Sequence, residues 1–369
     1  MSRVYISAGE ASGDVHAAEL AKALRARAGP GLELFGMGGP AMAASGVRIE
    51  LPIDRMTVMG FTEVLARLPR FWAALAQAER LARAADLAVL VDYPGFHLRL
   101  ASRLAGSGVP VVIYIAPQVW AWRPGRAREV ARVARKLLVI FEFELAPFRA
   151  VGADVEFVGH PLMDELEPGP PALRARGRLG LREDVPLVAI LPGTRRQVVK
   201  RLLPVYLEAA RMACAARPEI AVALGTRDGS PLELAAGLRD APRCVPAREL
   251  LRDATAGMFN SGTASLEAAI LGCPGVVGYR MGWLNYLVAR RVVTIPRVAL
   301  PNIVYGGEAM RELIQGELRP AAVAAEILAL VADPARREAA RARLAEVRRR
   351  LGPPGASARA AEAVLKLLA

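Results

Sequence analysis

The sequence has few of the residues that build metal centres or disulfide frameworks. It contains three cysteines and three histidines, and none of them has the spacing of a metal-binding motif: Cys214, Cys244, Cys273, His16, His97 and His160. Isolated cysteines of this kind are typical of small buried residues in a reducing compartment. We therefore expect reduced thiols and no structural metal ion.

Long apolar runs are also missing, although 53% of the 369 residues are hydrophobic. No run approaches the roughly 18 to 20 residues that a membrane-spanning helix needs. The first residues enter a strand at once, without the basic segment, apolar helix and cleavage site of a secretory signal. The sequence therefore predicts a cytoplasmic protein that does not span a membrane.

Aromatic residues make up only 5% of the chain, and no nucleic-acid-binding motif is present. We therefore expect no nucleic-acid partner, although the formal net charge is +13. The basic surplus is uneven, because residues 1–165 carry 19 basic and 17 acidic side chains and residues 166–369 carry 30 and 19. The second half is thus expected to meet an anion, and both phosphate-bearing substrates and an anionic membrane surface fit.

The length predicts two domains, since single hydrophobic cores stop growing near roughly 250 to 300 residues. Short apolar runs typical of buried parallel strands alternate with helical stretches on both sides of a proline-rich segment at 168–171. We expect an α/β fold with two doubly wound, Rossmann-like domains facing across a cleft. Their predicted ranges are residues 1–167 and 168–340, with C-terminal helices at 341–369 that pack back on the first domain.

Two stretches of the second half have the strand, loop and helix order of a nucleotide-binding unit. Residues 188–196 read VAILPGTRR, and residues 260–267 read NSGTASLE. In such a unit the backbone amides and the positive end of a helix hold a phosphate together. Arg195 or Arg196 could bind two phosphate oxygens at once. An ordinary turn with surface arginines is the alternative for each stretch alone, and the presence of two favours phosphate binding.

Carboxylates follow two predicted strands of the first half. Residues 4–8 lead into a loop that holds Glu10 and Asp14, and residues 87–91 end at Asp92. The acidic loop would repel a pyrophosphate, so its side chains suit sugar hydroxyls or proton transfer better, with helix capping as the alternative. Ligands of open α/β sheets bind at the carboxyl ends of the strands, which makes Asp92 the carboxylate most clearly positioned for chemistry.

Two further stretches combine aromatic, apolar and basic residues. Residues 55–72 could rest at a membrane interface or line an acyl-chain pocket, and an amphipathic helix facing the core is the alternative. Trp120 and Trp122 follow a predicted strand at 111–115. There they could stack on a sugar or pack against acyl chains, or they could belong to the core.

Eight short motifs occur in order and without large gaps over residues 4–316: AGEASGD at 8–14, VMGFTEVL at 58–65, YIAPQVWAWR at 114–123, FVGHPL at 157–162, LPGTRR at 191–196, SGTASLEA at 261–268, GYRM at 278–281 and LPN at 300–302. As a set they resemble the lipid A disaccharide synthases, which are inverting glycosyltransferases of the two-domain GT-B type. Each motif alone is weak, whereas the combination is specific.

The resemblance implies the transfer of 2,3-diacylglucosamine from its UDP ester to the 6-hydroxyl of 2,3-diacylglucosamine 1-phosphate. The products are a β-1,6 disaccharide 1-phosphate and UDP, with inversion at the transferred carbon. It also implies a reaction without a metal ion or other cofactor, carried out peripherally at the inner face of the cytoplasmic membrane. The sequence leaves open whether the protein forms a homodimer.

The resemblance also implies roles for individual residues. Asp92 is the first choice for the base that removes the acceptor proton, and the further candidates are Glu10, Asp14 and His16. The expected UDP-binding residues are Gly193, Thr194, Arg195, Ser261, Gly262, Thr263 and Glu267. Those expected near the acceptor or the cleft are Trp120, Trp122 and Asn302. One position departs from the family pattern, because Gly95 stands where a second aspartate often follows Asp92.

Three alternatives remain at the level of the sequence. The nearest is a GT-B glycosyltransferase that acts on a different acylated amino sugar. A nicotinamide-dependent oxidoreductase would need a G-x-G-x-x-G loop and an acidic residue about 20 positions later, and the chain lacks this pairing. A non-enzymatic lipid- or nucleotide-binding protein would not need Asp92, Arg195 and Glu267 together.

Overall fold

The computed structural model describes residues 2–55, 63–120, 125–166, 169, 172–227, 229, 242–283, 286 and 295–368, and only the backbone of residues 30, 55 and 63–68. Within these ranges no helix is long and apolar enough to cross a membrane. The chain divides into two compact units, Met1–Asp164 with Gly352–Ala369 and Glu165–Leu351. The boundary expected after residue 340 lies inside a helix of the second unit, Pro334–Arg350.

The first unit is built on a parallel sheet of seven strands. They are β1 (Ser2–Ala8), β2 (Leu32–Gly38), β3 (Arg48–Pro52), β4 (Leu87–Val91), β5 (Val111–Tyr114), β6 (Lys136–Val139) and β7 (Val155–Phe157). Their order across the sheet is β3-β2-β1-β4-β5-β6-β7. The order reverses between β1 and β4, which is where ligands of doubly wound sheets bind.

Helices connect these strands. They are α1 (Ala11–Ala28), α2 (Pro40–Ala44), α3 (Glu63–Ala82), α4 (Pro94–Leu104), α5 (Arg126–Val133), α6 (Leu145–Arg149) and α7 (Leu162–Glu165). Every side chain of β4 is buried, as expected for a central parallel strand covered on both faces. Phe35, Leu90, Phe96 and Leu100 belong to the core on one face of this sheet.

The C-terminal helix Ala356–Leu365 belongs to the first unit and packs against α1. Its N-terminus is capped by Asp164, whose carboxylate accepts hydrogen bonds from the amides of Gly355, Ala356 and Ser357 at 2.5 to 3.1 Å. Arg359 adds a hydrogen bond from Nε to the carbonyl of Val158 at 2.8 Å. The end of the chain is thus fixed beside the end of β7.

The second unit repeats the architecture with six parallel strands. They are β8 (Leu187–Leu191), β9 (Ala221–Thr226), β10 (Cys244–Pro246), β11 (Ala256–Asn260), β12 (Gly275–Tyr279) and β13 (Arg311–Ile314). The order is β10-β9-β8-β11-β12-β13, so the reversal lies between β8 and β11. The described helices are α8 (Arg174–Leu179), α9 (Arg196–Ala216), α10 (Ala247–Asp253), α11 (Thr263–Ile270), α12 (Leu300–Tyr305), α13 (Pro320–Ala332), α14 (Pro334–Arg350) and, in the first unit, α15 (Ala356–Leu365).

Tyr206 of α9 fixes the central strands of the second sheet. Its hydroxyl donates to the carbonyl of Phe259 at 2.7 Å and accepts from the amide of Gly278 at 3.0 Å. Gly278 is required at this point, because an added Cβ would lie 2.3 Å from the Tyr206 hydroxyl. The ends of β11 and β12 are therefore held by a fully buried side chain, which stiffens the edge where a ligand would bind.

Candidate functional site

The first candidate site lies where β1 and β4 end side by side in the sheet of the first unit. The backbone turns at Gly9 after β1 and at Asp92 after β4. The ring of Tyr93 packs directly on Gly9, and a Cβ there would lie 2.1 Å from a ring carbon. Glycine at this position therefore allows the two loops to approach each other.

Asp92 and Tyr93 form a left-handed turn that L-residues rarely adopt. Their φ angles are 53° and 52°, and neither residue is glycine. Such a conformation costs on the order of 1–3 kcal/mol per residue and persists only where surrounding contacts enforce it. Here the Asp92 amide donates to the carbonyl of Tyr114 at 2.9 Å, and the Asp92 carbonyl lies 2.5 Å from Nδ1 of His97. Strain of this kind concentrates at functional sites.

The electrostatics of Asp92 suit a proton acceptor. Its side chain is half-buried, and burial raises the pKa of this carboxyl above its usual value. A hydrogen bond from the amide of Tyr93 and the charge of His16, on α1, offset part of the increase. A carboxylate with a raised pKa is a stronger base than a solvated one.

His160 also lies at this edge, although the sequence gave it no role. It is buried, and both burial and the charge of His16 lower its pKa to about 3. Its Nδ1 accepts a hydrogen bond from the amide of Leu162 at 3.2 Å, so the proton of the neutral ring is on Nε2. The ring of Phe141 lies 5.1 Å away, centroid to centroid. The three histidines that look isolated in the sequence all belong to this one unit.

Trp120 is held by a buried carboxylate. Its Nε1 donates to Glu144 at 2.9 Å, and its ring meets that of Phe143 edge to face. Glu144 also accepts from the amides of Ile140 and Phe141, at 3.3 and 3.1 Å. Burial raises the pKa of Glu144 to about 7, and these three donors oppose the increase. Trp120 remains half-buried. Trp122 lies outside the described residues.

The two carboxylates of the first loop behave differently. Glu10 is exposed at the start of α1. Burial raises the pKa of Tyr93, and the charge of Glu10 adds to this increase. Asp14 is buried, and its carboxylate accepts three hydrogen bonds from the N-terminus of α2: Gly39 at 2.7 Å, Ala41 at 2.9 Å and Met42 at 3.2 Å. Asp14 is therefore a helix cap, although the helix that it caps is not its own.

Gly95, where the family resemblance implies a second aspartate, lies in the first turn of α4. It is exposed, and an added Cβ would meet no atom within 4 Å. The missing carboxylate therefore leaves no gap in the packing of the first unit.

The second candidate site lies at the ends of β8 and β11 in the other unit. Gly193 has a φ of 100°, and an added Cβ would lie 3.1 Å from the side-chain Nδ2 of Asn260. On the other side, a Cβ on Gly262 would lie 3.2 Å from the same atom. Asn260 thus joins the two loops, and its buried Oδ1 has no hydrogen-bond partner in the described structure. The local sequence pattern does not distinguish Asn260 as a site residue.

Each loop leads into the N-terminus of a helix. Arg195 is the N-cap residue of α9, which is 21 residues long, and Gly262 is that of α11. No side chain caps either terminus, so the first amides remain available to an anion. Thr194, Arg195 and Thr263 are exposed and Ser261 is half-buried. Within the described ranges the Arg195 guanidinium has no hydrogen bond or ion pair.

Glu267, one turn into α11, is already paired with a cation. Nε of Arg248 donates to Oε1 of Glu267 at 3.1 Å, and Nη2 donates to Glu165 at 2.6 Å. Burial raises the pKa of Glu267, Arg248 lowers it, and the charge of Glu165 adds a smaller increase. Arg248 is another residue that the sequence did not single out, because its partners lie 19 and 83 positions away.

Asn302 is fully buried and uses its whole amide within the protein. Oδ1 accepts from the amides of Ala309 and Met310, both at 2.8 Å. Nδ2 donates to the carbonyl of Met310 at 2.8 Å and to Glu312 at 2.7 Å. An amide side chain has two donors and two acceptor positions, so none is left for a ligand. Asn302 therefore stabilises the connection between α12 and β13.

The chain has two parallel sheets, and in each the strand order reverses at a point where the loops suit a polar ligand. This architecture defines a GT-B-type fold. The calicheamicin glycosyltransferase CalG4 has this fold, with a TM-score of 0.64, 19% identity and coverage of 100% of this chain and 98% of its own. UDP-GlcNAc 2-epimerase from Neisseria meningitidis, solved with UDP-GlcNAc, gives a TM-score of 0.65 at 11% identity over 99% of this chain and 100% of its own. At these identities the likeness concerns the fold alone.

The lipid-A-disaccharide synthetase family model matches residues 4–366. Lipid-A-disaccharide synthases of Anaeromyxobacter dehalogenans and Myxococcus xanthus are 43% and 41% identical, each over 99% of this chain and 97% of the relative. The chain belongs to this family. It is a glycosyltransferase of lipid A biosynthesis that moves 2,3-diacylglucosamine from its UDP ester to 2,3-diacylglucosamine 1-phosphate, with inversion.

Proposed function

We propose that Asp92 is the general base of this transfer and that the first unit binds the acceptor. Inversion requires the acceptor hydroxyl to attack from the side opposite the departing UDP, with its proton taken by a positioned base. The observation that carries the proposal is the strained turn at Asp92, which holds a half-buried carboxylate with a raised pKa at the end of a central strand. Asp14 is a weaker candidate, because its oxygens already accept three amides.

His16 and Glu10 then have supporting roles. His16 acts electrostatically on both Asp92 and His160, so it is suited to orient an acceptor hydroxyl or to tune the base. Glu10 is exposed beside Tyr93 and suits a sugar hydroxyl. Trp120 is half-buried and suits the sugar or an acyl chain.

The second unit binds the UDP group of the donor. The uncapped N-termini of α9 and α11 supply amides and helix dipoles for the diphosphate. Arg195 has no partner in the described structure and would meet the charge that develops on the leaving diphosphate. One such fixed donor typically contributes about 3–4 kcal/mol to the transition state. Thr194, Ser261 and Thr263 add hydroxyl groups beside these amides, and Glu267 suits the ribose hydroxyls.

The test compares Asp92→Asn with the wild-type enzyme. Products formed from UDP-2,3-diacylglucosamine and 2,3-diacylglucosamine 1-phosphate are measured by mass spectrometry in the presence of EDTA, and UDP binding is measured by calorimetry. We expect turnover to fall by about 10²- to 10⁴-fold, because a positioned base accelerates a reaction by about this factor. UDP affinity should be unchanged. Wild-type turnover in Asp92→Asn would assign the base to another group. An equal loss of UDP affinity would make Asp92 structural.

We also propose that the first unit contacts an anionic membrane surface at the inner face of the cytoplasmic membrane. Most of residues 55–72 lies outside the described side chains, but the end of this stretch is described. Trp72 is 47% exposed, and the Arg103 guanidinium lies 5.6 Å from its ring centroid. An exposed tryptophan beside a cation is typical of a surface that rests among lipid head groups.

Co-sedimentation with vesicles tests this contact. Wild-type protein should pellet with vesicles that contain phosphatidylglycerol and less with purely zwitterionic vesicles, and high salt should weaken the binding. Trp72→Ala should reduce the bound fraction. Trp283→Ala is the control, since Trp283 is 73% exposed in the second unit. Equal losses in both variants would indicate unspecific adsorption, and a protein that never pellets would exclude the contact.

A further inference from the structure

His97 links two strands of the first sheet at the candidate base. It lies on α4, is 1% exposed, and makes two hydrogen bonds through its ring. Nδ1 lies 2.5 Å from the main-chain carbonyl of Asp92, and Nε2 lies 2.8 Å from the hydroxyl of Ser7 on β1. Ser7 is itself fully buried. The three groups form a chain from β1 through α4 to the end of β4.

The partners fix the protonation state of the ring. A carbonyl oxygen can only accept, so Nδ1 carries a proton, and in the neutral ring Nε2 then accepts from the Ser7 hydroxyl. Burial lowers the pKa of His97 to about 4, so the ring is neutral under ordinary conditions. The Asp92 carbonyl thus selects the tautomer, and the Ser7 hydroxyl holds the ring in place by donating to Nε2.

Both main-chain groups of Asp92 are held as a result. The amide donates to Tyr114 on β5, and the carbonyl accepts from His97. This pair of contacts supports a left-handed conformation that an aspartate would otherwise leave. The direction of the Asp92 side chain follows from its backbone torsions, so a change at the carbonyl would turn the carboxylate.

We propose that His97, oriented by Ser7, is a positioning residue that aims the Asp92 carboxylate at the acceptor hydroxyl. The proposal rests on the role of Asp92 as the base. His97 has no part in binding UDP, because it belongs to the other unit, and it does not touch the reacting atoms. Substitution of His97 should therefore lower kcat. A displacement of about 1 Å at the base is enough to slow an enzyme by about 10²-fold.

Three substitutions of His97 separate its contacts. His97→Leu removes both hydrogen bonds. In His97→Gln the amide reaches the position of Nε2 and keeps only the Ser7 contact, whereas in His97→Asn the shorter amide supplies a donor at the position of Nδ1. We expect kcat to fall about 10- to 100-fold in the leucine and glutamine variants, with KM and UDP affinity within about threefold of wild type. His97→Asn should recover most of kcat.

Two further readouts distinguish positioning from simple destabilisation. Burial raises the pKa of Asp92, so a carboxylate that turns towards solvent should shift the acidic limb of the kcat–pH profile to lower pH in His97→Leu. The other described groups that act on this site are His16 of α1, Glu10 at its N-terminus and Tyr93, and all three are unchanged in this variant. Leu100→Ala, at a fully buried position of the same helix, is the control and should lower thermal stability without moving kcat or the pH profile.

The double variant with Asp92→Asn completes the test. If His97 acts through Asp92, His97→Leu should cause no further loss in the Asp92→Asn background. Losses that multiply would overturn the proposal, as would wild-type kcat in His97→Leu. If Asp92→Asn is itself fully active, the base assignment fails and the positioning role fails with it. Should His97→Leu not fold, Ser7→Ala keeps the imidazole in place, and an unchanged kcat and pH profile there would overturn the role of Ser7 and His97.

Discussion

Arg248 donates a hydrogen bond to Glu267 at 3.1 Å at the edge of the second unit. The contact occupies Oε1, and Oε2 has no hydrogen-bond partner within the described part of the chain. Burial raises the pKa of Glu267 and Arg248 opposes this increase, and the carboxyl group has one oriented oxygen left to offer. Such an oxygen suits the hydroxyls of a ribose.

Glu267→Gln should therefore weaken UDP binding about tenfold, because a hydrogen bond to a charged group contributes about 1.5–3 kcal/mol. The same substitution should leave the affinity for 2′,3′-dideoxy-UDP unchanged, since that nucleotide lacks the hydroxyls. Calorimetry with both nucleotides checks this. Glu249→Gln, which breaks an ion pair with Arg178 elsewhere in the unit, is the control. Equal losses for both nucleotides would remove Glu267 from the ribose site.

Arg195 should bind the diphosphate rather than the nucleoside. Arg195→Ala is expected to weaken UDP binding about 10- to 100-fold and to leave uridine binding unchanged, because only UDP carries the phosphates. Arg195→Lys should restore part of the affinity, since an ammonium cannot bind two oxygens in the same bidentate way.

The control for Arg195 lies on the same helix. Arg211 is paired with Glu208 at 2.6 Å, and Arg211→Ala removes the same charge at a distance from the loop. If Arg211→Ala weakens UDP binding as much as Arg195→Ala does, the effect comes from the net charge of the unit and not from a contact.

Glu144 should make the stability of the protein depend on pH. Its pKa is raised from 4.5 to about 7 in the folded protein. A carboxyl group whose pKa is raised by folding makes its full contribution to stability when the pH is below its pKa in the unfolded state. This contribution is lost as the pH rises through its pKa in the folded state. The free energy of unfolding of the wild type, relative to Glu144→Gln, should therefore fall between pH 4.5 and about pH 7. The expected change is roughly 3 kcal/mol.

Urea denaturation of both proteins at several pH values measures this difference. Glu142→Gln is the matched control, because Glu142 is exposed two positions away. If the free energies of unfolding of wild type and Glu144→Gln change in parallel over this pH range, the three donors around Glu144 hold its carboxylate ionised throughout.

The sequence is sufficient to predict the two sheets and the strand ends that hold candidate residues. Parallel strands buried on both faces leave continuous apolar runs, and small-residue loops mark where they end. The candidate residues Asp92, Gly193 and Gly262 are predicted in this way, since each directly follows such a run or its loop. The prediction that two α/β domains make up the chain is confirmed by the sheets of seven and six strands.

Contacts between distant positions could not be predicted in the same way. The caps at Asp14 and Asp164 act on helices that begin 25 or more positions away, whereas capping motifs are recognised only from adjacent sequence. His97 looked like an isolated histidine because its partner Ser7 lies 90 positions earlier. Buried hydrogen bonds of this kind depend on strand order, which the local pattern of residues does not encode.

Asn302 shows the difference most clearly, because its motif predicts only a place near the acceptor or the cleft, whereas the structure shows its four hydrogen bonds. Asn302→Ala would leave the buried amides of Ala309 and Met310 without an acceptor, and each such loss costs about 1–3 kcal/mol. We expect the free energy of unfolding to fall by about 3 kcal/mol or more. The kcat of the folded fraction and its UDP affinity should stay within about twofold of wild type, because no ligand contact is removed.

Urea denaturation and activity, corrected for the folded fraction measured by circular dichroism, check this prediction about Asn302 at 15 °C. The exposed substitution Glu308→Gln, in the same connection, is the control for the general tolerance of this segment. A variant Asn302→Ala with normal stability and a large loss of kcat would contradict the structural role. Asn302 would then have to leave its buried position during the reaction, because its amide has no free donor or acceptor while it remains there.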